Sequence, residues 1–229
     1  MDSRLKSIMD FVPIGSKVAD IGTDHGYLAI ELIKRNIAAF VVASDKNQGP
    51  LASAQKNIKE ANIEGNISLR LGDGLKPLEI GEVNVVCIAG MGGALMCDIL
   101  DASPDIVAKV DKIILQPMNA PERIYQWATE NKFYIEGEDL AEVDDIIYEI
   151  ICLSRIENAL QSKKKENSPL MSKYISGKIQ KLQRVYESMS KSETAKMTKK
   201  YIEIENQIKE LEAKLNENIN STDSLRCNE

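Results

Sequence analysis

The chain has 229 residues, 43% of them hydrophobic and 28% charged, and 29 Lys/Arg set against 35 Asp/Glu give a net charge of −6. That composition is globular and large enough for one ordinary domain plus an appendage. No apolar run approaches bilayer length, and the opening MDSRLKSIMDF lacks the apolar core of a signal peptide, so a cytoplasmic protein without a membrane partner is expected.

The first two-thirds alternate strand-like and helix-like stretches. KVADIG (17–22), AFVVASD (39–45), ISLRLGD (67–73), VNVVCIAG (83–90) and KIILQPM (112–118) are short, β-branched and bounded by Gly, Asp or Pro. They read as buried parallel strands. Helical patterns lie between them at 27–35, 50–61, 93–103 and 121–131. This alternation predicts a doubly wound α/β sheet. FYIEGEDLAEV and IIYEIICLSR follow, separated only by Asp144-Asp145, too short a link for a helical crossover. They are expected to pair as an antiparallel hairpin. A parallel sheet that ends this way has the architecture of class I methyltransferases, a Rossmann-like fold of seven strands with the last antiparallel. Nicotinamide dehydrogenases usually continue with parallel strands.

After Arg155 the texture changes. SKKKENSP (162–169) reads as a polar linker. Ile175, Ile179, Leu182, Tyr186 and Met189 then recur at helical spacing, as do Met197, Tyr201, Ile204, Ile208, Leu211 and Leu215, with the phase broken between Met189 and Met197. Ser190-x-x-Glu193 at the break has capping-box spacing. An antiparallel helical hairpin, or short coiled coil, accounts for both facts, and one continuous helix with a skip is the alternative. The expected organisation is a catalytic domain over 1–158, a helical hairpin over 168–219 and a disordered tail over 220–229. Charge follows the same division. Residues 1–160 hold 15 basic against 25 acidic side chains, a balance of −10, whereas 163–200 hold 11 against 3, or +8. Such a segment suits either a polyanionic partner or a solvated lysine-rich helix. Cys87, Cys97, Cys152 and Cys227 show no metal-ligand spacing, so reduced thiols and no metal are expected.

Ligands in such sheets bind at the carboxyl ends of the strands. Four candidate segments fall there. Asp20-Ile21-Gly22-Thr23-Asp24-His25-Gly26 offers Gly22 for a tight turn and Gly26 for close helix–strand approach. Asp45, with Lys46 beside it, closes the second strand where an acidic residue can grip a ribose diol. Asp73, in Gly72-Asp73-Gly74-Leu75, can accept a hydrogen bond from an exocyclic amine. Ala89-Gly90-Met91-Gly92-Gly93 presents bare backbone to a flat ligand. Each alone reads equally as a turn or cap, but four on successive strands point to one site. Asp24 would repel a pyrophosphate at close range. S-adenosylmethionine carries a positive sulfonium and an ammonium and no phosphate, so the loop favours it over a dinucleotide.

These segments, together with SRLKSI, VADIGTDHGYL, IAGMGG, LQPM and the appended hairpin, resemble the bacterial tRNA (adenine-22-N1)-methyltransferases over nearly the whole length. Gly90-Met91-Gly92-Gly93 stands where most base-nitrogen methyltransferases carry an Asn/Asp/Ser-Pro-Pro-aromatic motif. The resemblance implies a class I fold, S-adenosylmethionine as donor, and methylation of an adenine N1 in the D-loop region of tRNA. It places the cofactor at Gly22, Asp24, His25, Gly26, Asp45, Asp73, Gly74, Gly90 and Met91.

For the chemistry, Asp24 is the carboxylate expected to steady positive charge. His25 reads either as a hydrogen-bond partner of base or cofactor, or as a helix-start residue bonding local backbone. Arg4 can hold a phosphate, and Gln116 and Asn119 can read the base edge. Trp127 reads as core. Lys163–Lys165, Lys173, Lys178, Lys181, Arg184, Lys191, Lys196, Lys199 and Lys200 are expected to hold tRNA phosphates. The expected protein is a monomer with tRNA, not DNA, as partner. The alternatives are a protein or small-molecule acceptor, a non-catalytic cofactor-binding scaffold and a dehydrogenase.

Overall fold

The structure is a computed structural model that describes residues 2–157 and 164–226, with side chains to 218. The chain divides into two compact units, the first ending at Lys165 and the second beginning at Glu166.

The first unit runs, in chain order, α1 (Ser3–Asp10), β1 (Ser16–Ile21), α2 (Tyr27–Lys34), β2 (Ala38–Asp45), α3 (Gln48–Glu60), β3 (Ile67–Leu71), β4 (Val85–Gly92), α4 (Gly93–Asp101), α5 (Pro104–Val107), β5 (Lys112–Asn119), α6 (Pro121–Glu130), β6 (Tyr134–Val143) and β7 (Ile146–Ser154). The seven strands form one sheet in the order β3-β2-β1-β4-β5-β7-β6. Pairings from β3 through β5 are parallel, and β7 runs antiparallel to both β5 and β6. The chain winds outward from β1 to β3, then returns through β4, so the order reverses between β1 and β4. That switch point opens a crevice at the carboxyl ends of the strands.

Why the strands read as continuous apolar runs is visible in the core. Side chains alternate between two buried clusters on opposite faces of the sheet: Val18, Val41, Val85 and Ile114 face one, and Ala19, Val42, Val86 and Ile113 the other. The first cluster is closed by Ile8, Leu28 and Ala54 of α1, α2 and α3, the second by Met96, Leu100, Ile124 and Trp127 of α4 and α6. Trp127 is core, with its indole N–H donating to Asp101 at 2.7 Å. The β6–β7 link works because Asp144 and Asp145 both take left-handed backbone, φ 49° and 63°, as a two-residue hairpin turn requires.

Some elements lay outside the expected pattern. α1 forms under an Asp2 cap whose carboxylate accepts the Arg4 N–H at 2.8 Å, and its Ser7, Ile8 and Met9 are buried. β3 connects to β4 by a loop without a crossover helix, pinned by Arg70, which donates to Pro77 O at 2.8 Å and pairs with Glu82 at 2.5 Å.

The second unit holds α7 (Met171–Ser190), α8 (Glu193–Lys196) and α9 (Lys199–Arg226), with α7 and α9 packed together and the Tyr186 and Tyr201 rings stacked at 4.4 Å. The cap at the break is Ser192, not Ser190. Ser190 still belongs to the last turn of α7 and donates to Glu187 O at 2.8 Å, whereas the Ser192 hydroxyl accepts the Ala195 N–H. α9 runs to Arg226, into the stretch 220–229 expected to be disordered, since a helix seeded by packing propagates into polar sequence at little cost. Residues 227–229, Cys227 among them, and residues 158–163, Lys163 among them, lie outside the described residues. Cys87, Cys97 and Cys152 are buried free thiols. Among the described residues no helix is long and apolar enough to cross a membrane, and no cluster of His, Cys, Asp and Glu could hold a metal.

Candidate active site

A cleft of about 1090 Å³ opens at the switch point, walled by the carboxyl ends of β1, β2 and β4, the loop after β3, and the faces of α1 and α2. Its floor is the turn that leaves β1. Gly22 takes φ 73°, a left-handed backbone that strains any L side chain, and a Cβ there would lie 2.3 Å from the Met91 Cε, which would have to move aside. The N–H groups of Gly22 and Thr23 both donate to Ser44 O, at 2.8 and 3.0 Å, which ties the turn to the end of β2. Beneath it Asp20 is 5% exposed and accepts the Thr23 hydroxyl at 2.6 Å. Burial pushes its carboxyl up to about 6, against the opposing hydrogen bonds from Thr23 and the Ala29 backbone.

At the tip, Asp24 is held at φ 51° with its side chain 66% exposed, 3.6 Å from the His25 Nε2. The His25 ring stacks on Tyr27, centroids 5.5 Å apart. Asp45 folds its carboxylate over the start of α3, accepting the Asn47 N–H at 2.8 Å. Asp73 pairs with Lys76 at 3.0 Å. On the β4 side, the register with β5 shifts between Ala89 and Met91, and the bulged Gly90 sits at φ 75° with nothing within 4 Å of where a Cβ would project.

Every expected cofactor residue lines this cleft except Gly26. Gly26 starts α2 in left-handed backbone, and its missing Cβ lets the helix approach Ala54 of α3, where a Cβ would sit 3.2 Å away. The close approach is therefore helix to helix, not helix to strand. Arg4 lines the cleft from α1, its guanidinium over the Tyr148 ring at 5.3 Å.

Gln116 does not line the cleft. It is fully buried, and its Oε1 accepts from the Gly90 N–H at 3.1 Å and from Arg4 Nη1 at 3.4 Å, while its Nε2 donates to Pro117 O at 3.1 Å. It braces the Gly90 bulge instead of facing a base edge. Asn119 also lies off the cleft wall, its amide oxygen crowding Gly92. Lys173, Lys178, Lys181 and Arg184 stand on α7 in the second unit, Lys178 with its ammonium 4.3 Å from the Tyr174 ring centre. Lys165, grouped with them in the sequence, belongs to the first unit and is buried against Glu138, Glu149 and Tyr125.

Sequence reasoning missed Asp2, Glu31, Arg35 and Ser44, all of which line the cleft. Tyr27, Glu31 and Arg35 recur every four residues along α2, a spacing that places them on one helical face. Ser44 left no such signal; its hydroxyl is buried and has no hydrogen-bond partner among the described residues.

Residues 1–151 match a family model described as a methyltransferase domain. A tRNA (adenine(22)-N(1))-methyltransferase of Bacillus subtilis is 33% identical over 151 residues, 66% of this chain and 63% of the relative, so the chain spans less than two-thirds of that relative's length. Among solved structures, the B. subtilis m1A22 tRNA methyltransferase superposes with a TM-score of 0.79 at 27% identity, covering 94% of this chain and 98% of the other. A Streptococcus pneumoniae putative tRNA (m1A22) methyltransferase, solved with S-adenosyl-L-methionine, gives 0.75 at 30% identity, covering 94% and 100%. Fold, strand-end site and sequence thus agree, and the chain belongs to the methyltransferase-domain family, in the branch that holds the tRNA (adenine(22)-N(1))-methyltransferases.

Proposed function

We propose that the protein transfers a methyl group from S-adenosylmethionine to N1 of an adenine in tRNA, at position 22 of the D-loop region. The observation that carries the reading is the charge of the glycine turn between β1 and α2. It places a carboxylate, Asp24, where a dinucleotide site needs bare backbone for a pyrophosphate.

The cleft fits the donor on three counts. Its strand ends supply acidic partners for a ribose and an exocyclic amine in Asp45 and Asp73. The unpaired Ser44 hydroxyl leaves a hydrogen bond to be made. The open space over Gly90 admits a flat ring against the backbone. When bound, the donor supplies a methyl group on a positively charged sulfur. Adenine N1 carries no proton to remove, so the site has no need of a general base. The work left to the chain is positioning and a negative field along the path of the moving charge, with Asp24 the carboxylate that faces it. His25 is assigned to holding Asp24 and Tyr27 in place, in contact with the ligand but without proton transfer. Arg4 is assigned to a phosphate of the acceptor, and Lys173, Lys178, Lys181 and Arg184 to the tRNA backbone. A tRNA partner puts the protein in the cytoplasm, acting as a monomer, with neither DNA nor membrane as a target.

The test is direct. Purified protein should bind S-adenosylmethionine, ignore nicotinamide dinucleotides, and transfer labelled methyl to a tRNA transcript as 1-methyladenosine at a single nucleotide. Tight dinucleotide binding, or label found only on protein or small molecules, would end this reading.

A further inference from the structure

Resting on that reading, we infer that the acceptor adenine stacks on the Tyr27 ring, in a subsite of the cleft that Tyr27 shares with His25 and Arg4.

Space comes first. Pockets for one small ligand run about 300–1,000 Å³. The cleft, at about 1090 Å³, stands at the top of that range, which leaves room for a base beside the donor. The acidic strand ends, Asp45 and Asp73, mark the donor's share. What remains on the α1 and α2 side is aromatic and cationic.

Tyr27 opens α2 with 56% of its surface exposed, and it belongs to neither buried cluster. Its exposed ring lines the cleft, where it can meet a ligand. Its ring is already stacked with His25, so the platform is held before any ligand arrives and little ordering is left for binding. Arg4 supplies the polar end. Its Nε is buried without an acceptor among the described residues, its contacts to Gln116 and Asp2 are both long at 3.4 Å, and the Tyr148 ring beneath it accepts no strong hydrogen bond. A guanidinium held this loosely over the cleft has donors to spare for a phosphate or ribose of the acceptor nucleotide.

Chemistry gives the ring a further reason. Neutral adenine becomes a cationic 1-methyladenine as the methyl transfers, and the electron-rich face of a phenol attracts a cation more than a neutral ring. Stacking on Tyr27 therefore strengthens as charge arrives on the base, which is the direction that lowers a barrier.

Full-length protein carrying Tyr27→Ala or Tyr27→Phe tests this through kcat/KM for a tRNA transcript, alongside S-adenosylmethionine affinity by calorimetry. Tyr27→Ala should lower kcat/KM for tRNA about 5- to 150-fold, the range set by losing one stacked base, while donor Kd stays within about twofold. Tyr27→Phe keeps the ring and should stay within about threefold of the parent. Undiminished turnover in Tyr27→Ala overturns the subsite. So does a donor affinity that falls as far as tRNA turnover, which would give the ring to the cofactor, or a Tyr27→Phe as impaired as Tyr27→Ala. These failures are distinct from failure of the parent reading: a parent protein that transfers no methyl to tRNA sinks both, and one that does so while indifferent to Tyr27 sinks the stacking alone.

Discussion

Lys165 separates two accounts of the same lysine run. Its ammonium lies 2.6 Å from Glu138 on β6, 2.5 Å from Glu149 on β7 and 2.5 Å from the Tyr125 hydroxyl on α6, and that hydroxyl, with one proton to give, stands within hydrogen-bond reach of both carboxylates. The Lys165 side chain is only 15% exposed, and Glu149 only 5%. Burial alone would lower the lysine's pKa, but Glu149 and Glu138 outweigh it and the net shift is upward. A raised folded-state pKa means the cluster's contribution is complete below the ordinary lysine value of 10.5 and is lost only as pH rises through the higher folded one. Stability should therefore show no dependence on this group between about pH 5 and 9. Lys165→Met leaves two carboxylates facing each other in a dry site. Removing one partner of a buried pair costs about 3–5 kcal/mol, and at about 2–4 °C per kcal/mol for a chain of this length the melting temperature should fall by roughly 6–20 °C. Urea unfolding at constant m-value reads the loss directly, and Glu149→Gln in the same background should return part of it. tRNA affinity and its salt dependence should not change, because this ammonium is already spent on protein carboxylates. A destabilisation under about 1 kcal/mol, or a shallower salt slope in the variant, would refute the reasoning.

Asp20 predicts a pH dependence of the same sign in a much lower window. Its carboxyl is raised by burial from 3.8 to about 6, so its stabilising contribution is complete below about pH 4 and is lost as pH rises through 6. Asp20→Asn should thus gain on the parent across that window by up to about 3 kcal/mol, read by unfolding at pH 4 and pH 7; a gap that does not widen with pH would contradict the assignment. Gly22→Ala should pay about 1–2 kcal/mol for left-handed backbone and displace the Met91 methyl, which would stand 2.3 Å from the new Cβ. Calorimetry should find donor affinity lowered by about tenfold or more; unchanged affinity would show that the turn does not shape the site. Replacing Lys173, Lys178, Lys181 and Arg184 together by Gln should weaken tRNA binding and flatten its log–log salt slope by about 3, at 0.7–0.9 per phosphate contact. An unaltered slope would remove these residues from the interface.

How much was legible follows from where each signal is stored. The strands were readable because both faces of the sheet are buried, which forces continuous β-branched runs such as Val83–Ile88 in place of alternation. The β6–β7 hairpin was readable because only a turn fits between Val143 and Ile146. The strand-end residues followed from topology, since a parallel sheet delivers its carboxyl ends to one edge. α1 was not readable: it is two turns long, and its helical state is fixed by the burial of Ile8 and Met9 against the sheet, which no local pattern announces. Gln116 was misread because its direction depends on the bulge at Gly90, on a neighbouring strand, where one extra residue presents an N–H that needs an acceptor. Lys165 was misread because a run of lysines has one appearance in sequence whether its members face solvent or two carboxylates brought together by a hairpin.

The same dependence on surroundings assigns the two acidic residues of the glycine turn to different work. Asp20 and Asp24 stand four positions apart and would look interchangeable as cofactor ligands. Asp20 lies under the turn, loses its hydration, and spends its oxygens on Thr23 and the Ala29 backbone. With those oxygens turned inward, what Asp20 supplies is the shape of the loop. Asp24, lifted to the tip by left-handed backbone, keeps two-thirds of its side chain in water and faces the cleft. Its hydration is intact until a ligand displaces it, and a cationic ligand then meets a carboxylate with little screening between them. On the proposed reading, the loop uses burial of one carboxylate to build its turn and exposure of the other to meet a cationic ligand.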